Sequence, residues 1–460
     1  MNNFEVILSK HGQSDFVPYA LYNAAWCKSE LKEFTESEKL FSDLMTKFPG
    51  HELAKRATMD RGATRRKSGN AEESLADLKA FLDTNPEGAP RIKALYEIGL
   101  AQVQLEKWDD AIDSFKLLLT ETPNSPEVDR FNYELAWAYR NTKREDLALE
   151  RFGVIAEKTP NSSLAPEANF HLGSAAYAKE NYADAIAAYK KCIESKTDDS
   201  IREKAAYKLA WAHYKQKQFT EAQAGFALQV NEFEKGDLYA DGMFMVAESL
   251  FRLKKHDEAF AAYTAAKPVV DASENIEPKI KWLTMLHGSQ SANETRKHDE
   301  AIQLAKQLAD SDADLAFRQD AWLEMGNAYR GLKQTENAIE YFEKASDNLG
   351  KTGARAYCML GDVYFENKKF DDAIVQFKQV FFGFGAAQSA ADVKPWQAYA
   401  LYEAGQCNFV QVSSAPEELK PKLIENSIQF FERLLRDYSD DKLVEPAKKQ
   451  LETLRKLQGK

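Results

Sequence analysis

Between Tyr133 and Pro160 the apolar residues fall in two stripes, Tyr133, Leu135, Ala136 and Tyr139, then Leu147, Ala148, Phe152, Ile155 and Ala156. Their three- and four-residue spacing, without strict alternation, predicts two amphipathic helices joined by a short polar turn. The same skeleton recurs along nearly the whole chain. With its small residue as an anchor, copies centre on Ala25, Gly62, Gly99, Ala136, Gly173, Ala210 and Ala247, each 37 residues after the last. They continue on a degraded Ser289 and on Gly326, Gly361 and Gly405. Twelve positions past the anchor stands an Ala (Ala111, Ala148, Ala185, Ala222, Ala259, Ala301, Ala338, Ala373). Sixteen past it stands an aromatic (Phe115, Phe152, Tyr189, Phe226, Tyr263, Phe342, Phe377, and Phe431 after an insertion). One such unit cannot bury its apolar face alone, so a regular period means stacked units, and the pattern predicts an all-α solenoid of about eleven helix pairs. The small anchor and the Ala let the two helices approach closely, and the aromatic fills the space beside them.

Charge and proline punctuate the units. Lys or Arg gathers at the end of the first helix and Asp, Glu or Thr at the start of the second, as in Lys143 and Arg144 before Glu145 and Asp146, or Lys368 and Lys369 before Asp371 and Asp372. This placement complements both helix macrodipoles and is expected to cap free N–H groups. Pro49, Pro86, Pro123 and Pro160 share one phase and end the second helix, while Thr197, Glu234 and Asp271 take that place in later units. Ser125 with Pro126, and Ala165 with Pro166, read as entries to the following helix.

Three irregularities divide the chain. Extra residues fall around Val269 to Pro278, within Phe381 to Trp396, and in VSSAPEELKP of the last unit. The expected organisation is a second-helix remnant of a preceding repeat at 1–12, seven regular repeats at 13–270, an irregular eighth and two further repeats at 271–380, and an insertion, last repeat and capping helix at 381–460. Because Phe4 lies 37 residues before Phe41, the chain is expected to be a C-terminal portion of a longer protein, or to start at a misassigned Met.

Composition narrows the function classes. The chain is 44% hydrophobic, 12% aromatic and 29% charged, which suits a folded helical protein, and its net charge of -11 argues against a general nucleic-acid binder. No apolar run is long enough to span a membrane. Cys27, Cys192, Cys358 and Cys407 fall at scattered helical positions and read as buried small hydrophobes. The seven His show no metal-ligand spacing, and the GFG at Gly383 to Gly385 reads as a loop bend. No catalytic, metal or cofactor residue is expected, and the chain is read as non-enzymatic.

The stretches LGSAAYAKENYADAIAAY (Leu172 to Tyr189) and MLGDVYFENKKFDDAIVQF (Met359 to Phe377) resemble the tetratricopeptide repeat. The resemblance covers nearly the whole chain, which departs from the family's usual period of 34 by three residues. It implies a right-handed α-solenoid superhelix that binds protein or peptide partners in a groove lined by the first helices. The longer units also resemble bacterial cell-envelope repeats, in the style of the Tol-Pal coordinator and outer-membrane-assembly lipoproteins.

Groove positions carried over from the resemblance hold Tyr133 and Tyr207 three before the anchor and Trp26, Trp137 and Trp211 one after it. Such aromatics serve either as interface anchors or as packing between units. Arg56, Lys93 and Arg130, six before successive anchors, form a basic ladder with Arg66 and Arg140, which either binds an acidic peptide or is a solvated face. The Lys and Asn clamp of co-chaperone repeats is not supported, since only Asn327 puts an Asn one past an anchor. Phe381, Phe382 and Phe384 on the inserted loop either make an exposed contact or tuck beneath the insertion. The function expected is a non-catalytic scaffold, in cell-envelope assembly or maintenance, with a cytoplasmic adaptor or the repeat portion of an enzyme as alternatives. A periplasmic or envelope location is favoured if a signal sequence lies upstream and a cytoplasmic one otherwise. Oligomeric state is unknown.

Overall fold

The computed structural model describes residues 2–195, 198–385 and 389–459, and these form 24 helices with no strand. Thr197 and the middle of the Phe381 to Trp396 stretch lie outside them. The chain divides into two compact units, Met1–Ala212 and His213–Lys460. The first holds α1 (Asn2–Lys10) and the pairs α2 (Val17–Glu30) with α3 (Phe34–Lys47), α4 (Glu52–Lys67) with α5 (Ala71–Leu82), α6 (Ala89–Gln104) with α7 (Trp108–Glu121), α8 (Val128–Asn141) with α9 (Glu145–Lys158), and α10 (Ala165–Ala178) with α11 (Tyr182–Ile193). The helix α12 (Asp199–Lys215) runs across the division. The second unit continues with α13 (Phe219–Glu232) and the pairs α14 (Tyr239–Arg252) with α15 (His256–Ala272), α16 (Pro278–Glu294) with α17 (His298–Ala309), α18 (Leu315–Gly331) with α19 (Thr335–Ser346), α20 (Lys351–Glu366) with α21 (Phe370–Gly383), and α22 (Lys394–Val412) with α23 (Lys420–Asp437). It ends with α24 (Val444–Gln458), which buries Ala447, Leu451 and Leu454.

Within each unit the core is a repeated contact. The Ala residues twelve past the anchors are fully buried, and the aromatics sixteen past them are at most 1% exposed. Close approach explains the glycine anchors: a Cβ on Gly173 would lie 2.8 Å from Cε1 of Tyr189, and one on Gly99 only 2.5 Å from Cε1 of Phe115. Ala136 occupies the same place with Phe152 still fully buried, so the aromatic ring can shift to admit one methyl group but has no room for more. Ser37 replaces the Ala after the anchor Ala25, and its hydroxyl donates to that anchor's own carbonyl, Ala25 O, at 2.7 Å.

The first helix of each pair from α2 to α20 ends in a Schellman motif, whereas α22 ends at a right-handed Ser413. In α2 the Lys32 N–H donates to Ser29 O at 3.0 Å and the Glu33 N–H to Lys28 O at 2.9 Å, and Lys32 itself is left-handed at φ 61°. Residues in the same turn of later pairs share this conformation: Glu106, Lys143, Glu180, Lys217, Lys254, Arg296, Lys333 and Lys368, with Gly69 in the second pair. Glu106 and Glu180 show that positive charge alone does not select the residue.

Side-chain capping differs from expectation. Among the second helices from α3 to α21, Asn181 caps α11 by accepting from the Asp184 N–H, whereas Arg144, Lys255 and Lys369 occupy N-cap positions without a side-chain bond. The acids lie inside the first turn, where they act on the helix dipole. The helix α8 starts at Val128, so Ser125 and Pro126 form a turn ahead of it, with Ser125 Oγ accepting from the Glu127 N–H. Pro166 does fall in the first turn of α10, and the prolines from Pro49 to Pro160 follow the ends of α3, α5, α7 and α9.

Candidate functional site

In the first unit, contacts off the anchor stripe run from one first helix to the next. Asp60, two before its anchor and 6% exposed, accepts from the Tyr22 hydroxyl of α2 and from Lys93 Nζ of α6 at 2.7 Å. The Arg56 guanidinium stands 5.8 Å from the Tyr22 ring centre, and two repeats on, Arg130 stands 5.3 Å from that of Tyr96. Arg66 Nε donates to Glu97 Oε2 at 2.5 Å. Tyr133 donates to Glu167 at 2.9 Å, and its hydroxyl is pushed up to about 12 by burial and by that carboxylate. The basic ladder is therefore a ladder of partnered cations, with Arg130 also bound to Glu127.

The three Trp differ. Trp26 is 51% exposed, whereas Trp137 and Trp211 are half-buried. Trp137 meets Phe152 and His171 edge-on, and Arg140 lies 5.0 Å above its ring while approaching His171 Nδ1 at 3.0 Å. Trp211 packs edge-on against Tyr207.

The second unit builds polar networks at equivalent positions. Glu248, one past its anchor and 5% exposed, accepts from the Tyr263 hydroxyl and Arg252 Nε, both at 2.8 Å, and lies 2.7 Å from His287 Nδ1. Burial opposes its ionisation, but His287, Tyr263 and Arg252 outweigh burial and hold the carboxyl down to about 2. Glu324 gathers the Asn293, Asn327 and Arg355 side chains in the same way. Near the end of the unit Phe381 (1% exposed) and Phe384 (7%) are core, so those two tuck inward, and Phe382 is 60% exposed beneath Arg433. Phe381 and Phe382 belong to the last turn of α21, not to a loop.

The carboxylates are the side chains that the sequence reading passed over. Asp60, Glu97 and Glu134 repeat at 37 residues two before their anchors, the same signal that revealed the cations. Among the described residues no three His, Cys, Asp or Glu side chains gather as a metal site, and no helix is long and apolar enough to cross a membrane. All four cysteines are free, three of them buried and Cys27 half-buried.

No curated protein matches the sequence. Solved structures that match this chain include the C-terminal part of a TPR repeat-containing protein from Cytophaga hutchinsonii, 14% identical, covering 60% of this chain and 98% of that one at a TM-score of 0.43. The APC/C hetero-tetramer Cut9-Hcn1 is 13% identical, covering 94% and 95% at a TM-score of 0.37. A tetratricopeptide repeat protein from Parabacteroides merdae is 15% identical, covering 68% and 98% at 0.27. Tetratricopeptide-repeat family models match residues 19–51, 59–126, 96–163, 166–199, 207–274, 319–347 and 354–381, together more than half of the chain. With its helix pairs and its small-residue anchors, the chain belongs to the tetratricopeptide-repeat family.

Proposed function

We propose that this chain is a non-catalytic scaffold that holds protein or peptide partners on the faces of its first helices, in bacterial cell-envelope assembly or maintenance. The observation that carries the binding role is the run of aromatic and cationic side chains in the first unit, where Trp26 stays half exposed and Arg56 covers Tyr22. An exposed indole one helical turn from a tyrosine that carries a guanidinium gives a partner buried apolar area without ordering a loop. The envelope assignment rests on the long 37-residue unit and its resemblance to Tol-Pal-type repeats.

Trp26, Arg56, Lys93, Arg130, Arg140, Tyr133, Trp137, Tyr207 and Trp211 are the proposed contact residues, and Phe382 is a further exposed candidate in the second unit. The test is affinity capture on the immobilised chain from separated envelope and cytosolic extracts of its source organism, with Trp26→Ala/Arg56→Ala alongside. The expected result is retention of envelope proteins by the unaltered chain, lost in the variant at unchanged helical circular dichroism. Retention of cytosolic proteins alone overturns the envelope role, and retention that the double substitution leaves intact overturns this surface.

A further inference from the structure

Two histidines stand two positions before their anchors, His171 before Gly173 in α10 and His287 before Ser289 in α16. Their partners fix opposite protonation of the ring. A guanidinium can only donate, so the 3.0 Å contact from Arg140 Nη1 makes His171 Nδ1 a bare acceptor and leaves the ring's proton on Nε2. The Glu248 carboxylate can only accept, so its 2.7 Å contact puts a proton on His287 Nδ1.

The His171 arrangement is a substitution within a repeated contact. A cation four past one anchor reaches the residue two before the next: Arg66 donates to Glu97 at 2.5 Å, and two repeats on, Arg140 donates to His171. A carboxylate keeps its lone pairs across the neutral range. An imidazole gives up its acceptor nitrogen when it takes a second proton, in the range of about pH 5 to 8 where histidine changes charge.

Few charged groups face the ring. From α8, Arg140 lies 5.0 Å over Trp137 as well, and its Nε is 3.6 Å from Glu145 of α9. The α9 side otherwise supplies Phe152, stacked on the imidazole at 4.7 Å. On α10 itself Glu167 Oε1 stands 3.6 Å from His171 Nε2, which is buried and makes no hydrogen bond among the described residues. His171 and the Tyr133 hydroxyl hold the Glu167 carboxyl below the ordinary range against burial, so it is an anion wherever histidine titrates. On α11 the Cys192 thiol is pushed up to about 12 by burial and stays neutral. The helix α12 carries Lys204 and Lys208 six and two before its anchor, with Lys208 5.4 Å over Tyr177. One guanidinium and one carboxylate thus compete for His171.

We propose that His171 is a proton-driven switch on the binding surface assigned above: neutral, it holds Arg140, and protonated, it exchanges Arg140 for Glu167 and releases the guanidinium to a carboxylate of a partner. A solvent proton on Nδ1 sets two donors against each other where Arg140 had bonded, and the added charge draws the Nε2–H toward Glu167. Arg140 is left over Trp137 with its side chain already 33% exposed. At His287 the second proton enters on the other nitrogen, so the bond to Glu248 is kept. The release to a partner rests on the binding role of this surface, whereas the exchange of partners within the chain does not.

Nuclear magnetic resonance of the full chain labelled with nitrogen-15 tests the exchange without any partner. His171 and His287 are assigned from His171→Gln and His287→Gln, and Arg140 from Arg140→Lys. At about pH 8, His171 is expected as the Nε2–H tautomer and His287 as the Nδ1–H tautomer. At about pH 5.5, His171 is expected to be doubly protonated, and protection of the Arg140 guanidinium from hydrogen exchange, corrected for the intrinsic rate, to be about tenfold lower, the least that one charge-assisted hydrogen bond supplies. In His171→Gln, whose carbonyl oxygen accepts at either pH, that protection is expected to stay level. A Nδ1–H tautomer of His171 at pH 8, a ring still neutral at pH 5.5, undiminished Arg140 protection, or an equal loss in His171→Gln overturns the switch. If His171→Gln does not fold, His171 is the histidine displaced in Arg140→Lys, and the tautomer and protection in the unaltered chain decide. Hexa-aspartate then probes the release: the full chain is expected to bind it about tenfold more tightly at pH 5.5 than at pH 8, and His171→Gln equally at both. No gain, or the same gain in the variant, overturns the release while leaving the exchange of partners to the resonance data.

Discussion

Replacing Lys254, Lys333 and Lys368 together by Gly should stabilise the second unit. Each residue sits at the left-handed position of a Schellman motif, with φ of 58°, 60° and 61°, and each is exposed. A side chain there brings Cβ against the following carbonyl oxygen, at a cost of about 1–2 kcal/mol. Glycine removes that contact but gives the unfolded chain extra freedom worth about 0.5–1 kcal/mol, leaving a net gain of about 0.5–1 kcal/mol per site. The three turns lie in different helix pairs with no shared partner, so the gains add to about 1.5–3 kcal/mol. Urea denaturation followed by helical circular dichroism measures the sum, provided that the denaturant slope stays constant. Lys254→Ala is the control, because it removes the charge and keeps the Cβ, and it should bring no gain. An unchanged midpoint in the triple variant, or an equal gain in Lys254→Ala, would show that left-handed strain is not what limits these turns.

Three further outcomes follow from packing and charge. Gly153 lies within α9 with nothing inside 4 Å of an added Cβ, so Gly153→Ala should raise stability by about 1 kcal/mol through helix propensity. Gly173→Leu should lower it by about 1–3 kcal/mol, because even a Cβ there would lie 2.8 Å from the buried Tyr189 ring, and an unchanged denaturation midpoint would contradict that packing. Glu248→Gln should cost about 3 kcal/mol near neutral pH by leaving Arg252 and His287 without their buried carboxylate. The depressed Glu248 value means that this contribution is present above the ordinary glutamate range and is lost as the pH falls toward about 2, which a stability–pH profile would show as a steeper acid limb in the unaltered chain.

The helix pairs were legible because the same packing problem is solved repeatedly. An anchor, an Ala and an aromatic, read at 37-residue intervals, place Gly99, Ala111 and Phe115 in one contact without any coordinates. The inter-helix turn was legible only in part. Lys is an ordinary C-terminal residue on charge grounds, and nothing in its chemistry announces the left-handed backbone that Lys143 and Lys254 adopt. The face was harder again, since Trp26 is exposed while Trp137 is half-buried against His171 of the next repeat. The fates of Phe381 and Phe382 show the same limit, because adjacent helical residues point in different directions and periodicity in an irregular stretch does not say which is inside.

The side-chain pairs between successive first helices bear on how such a chain can be rebuilt. Glu248 and His287, or Arg66 and Glu97, are each divided between two repeats, while anchors such as Gly99 and Gly173 keep their aromatic within one. A repeat moved as a block into another array would carry its anchor-to-aromatic contact intact and half of each lateral pair. Module exchange in this chain would thus preserve folding more readily than recognition, and a graft meant to carry a surface would need two consecutive repeats.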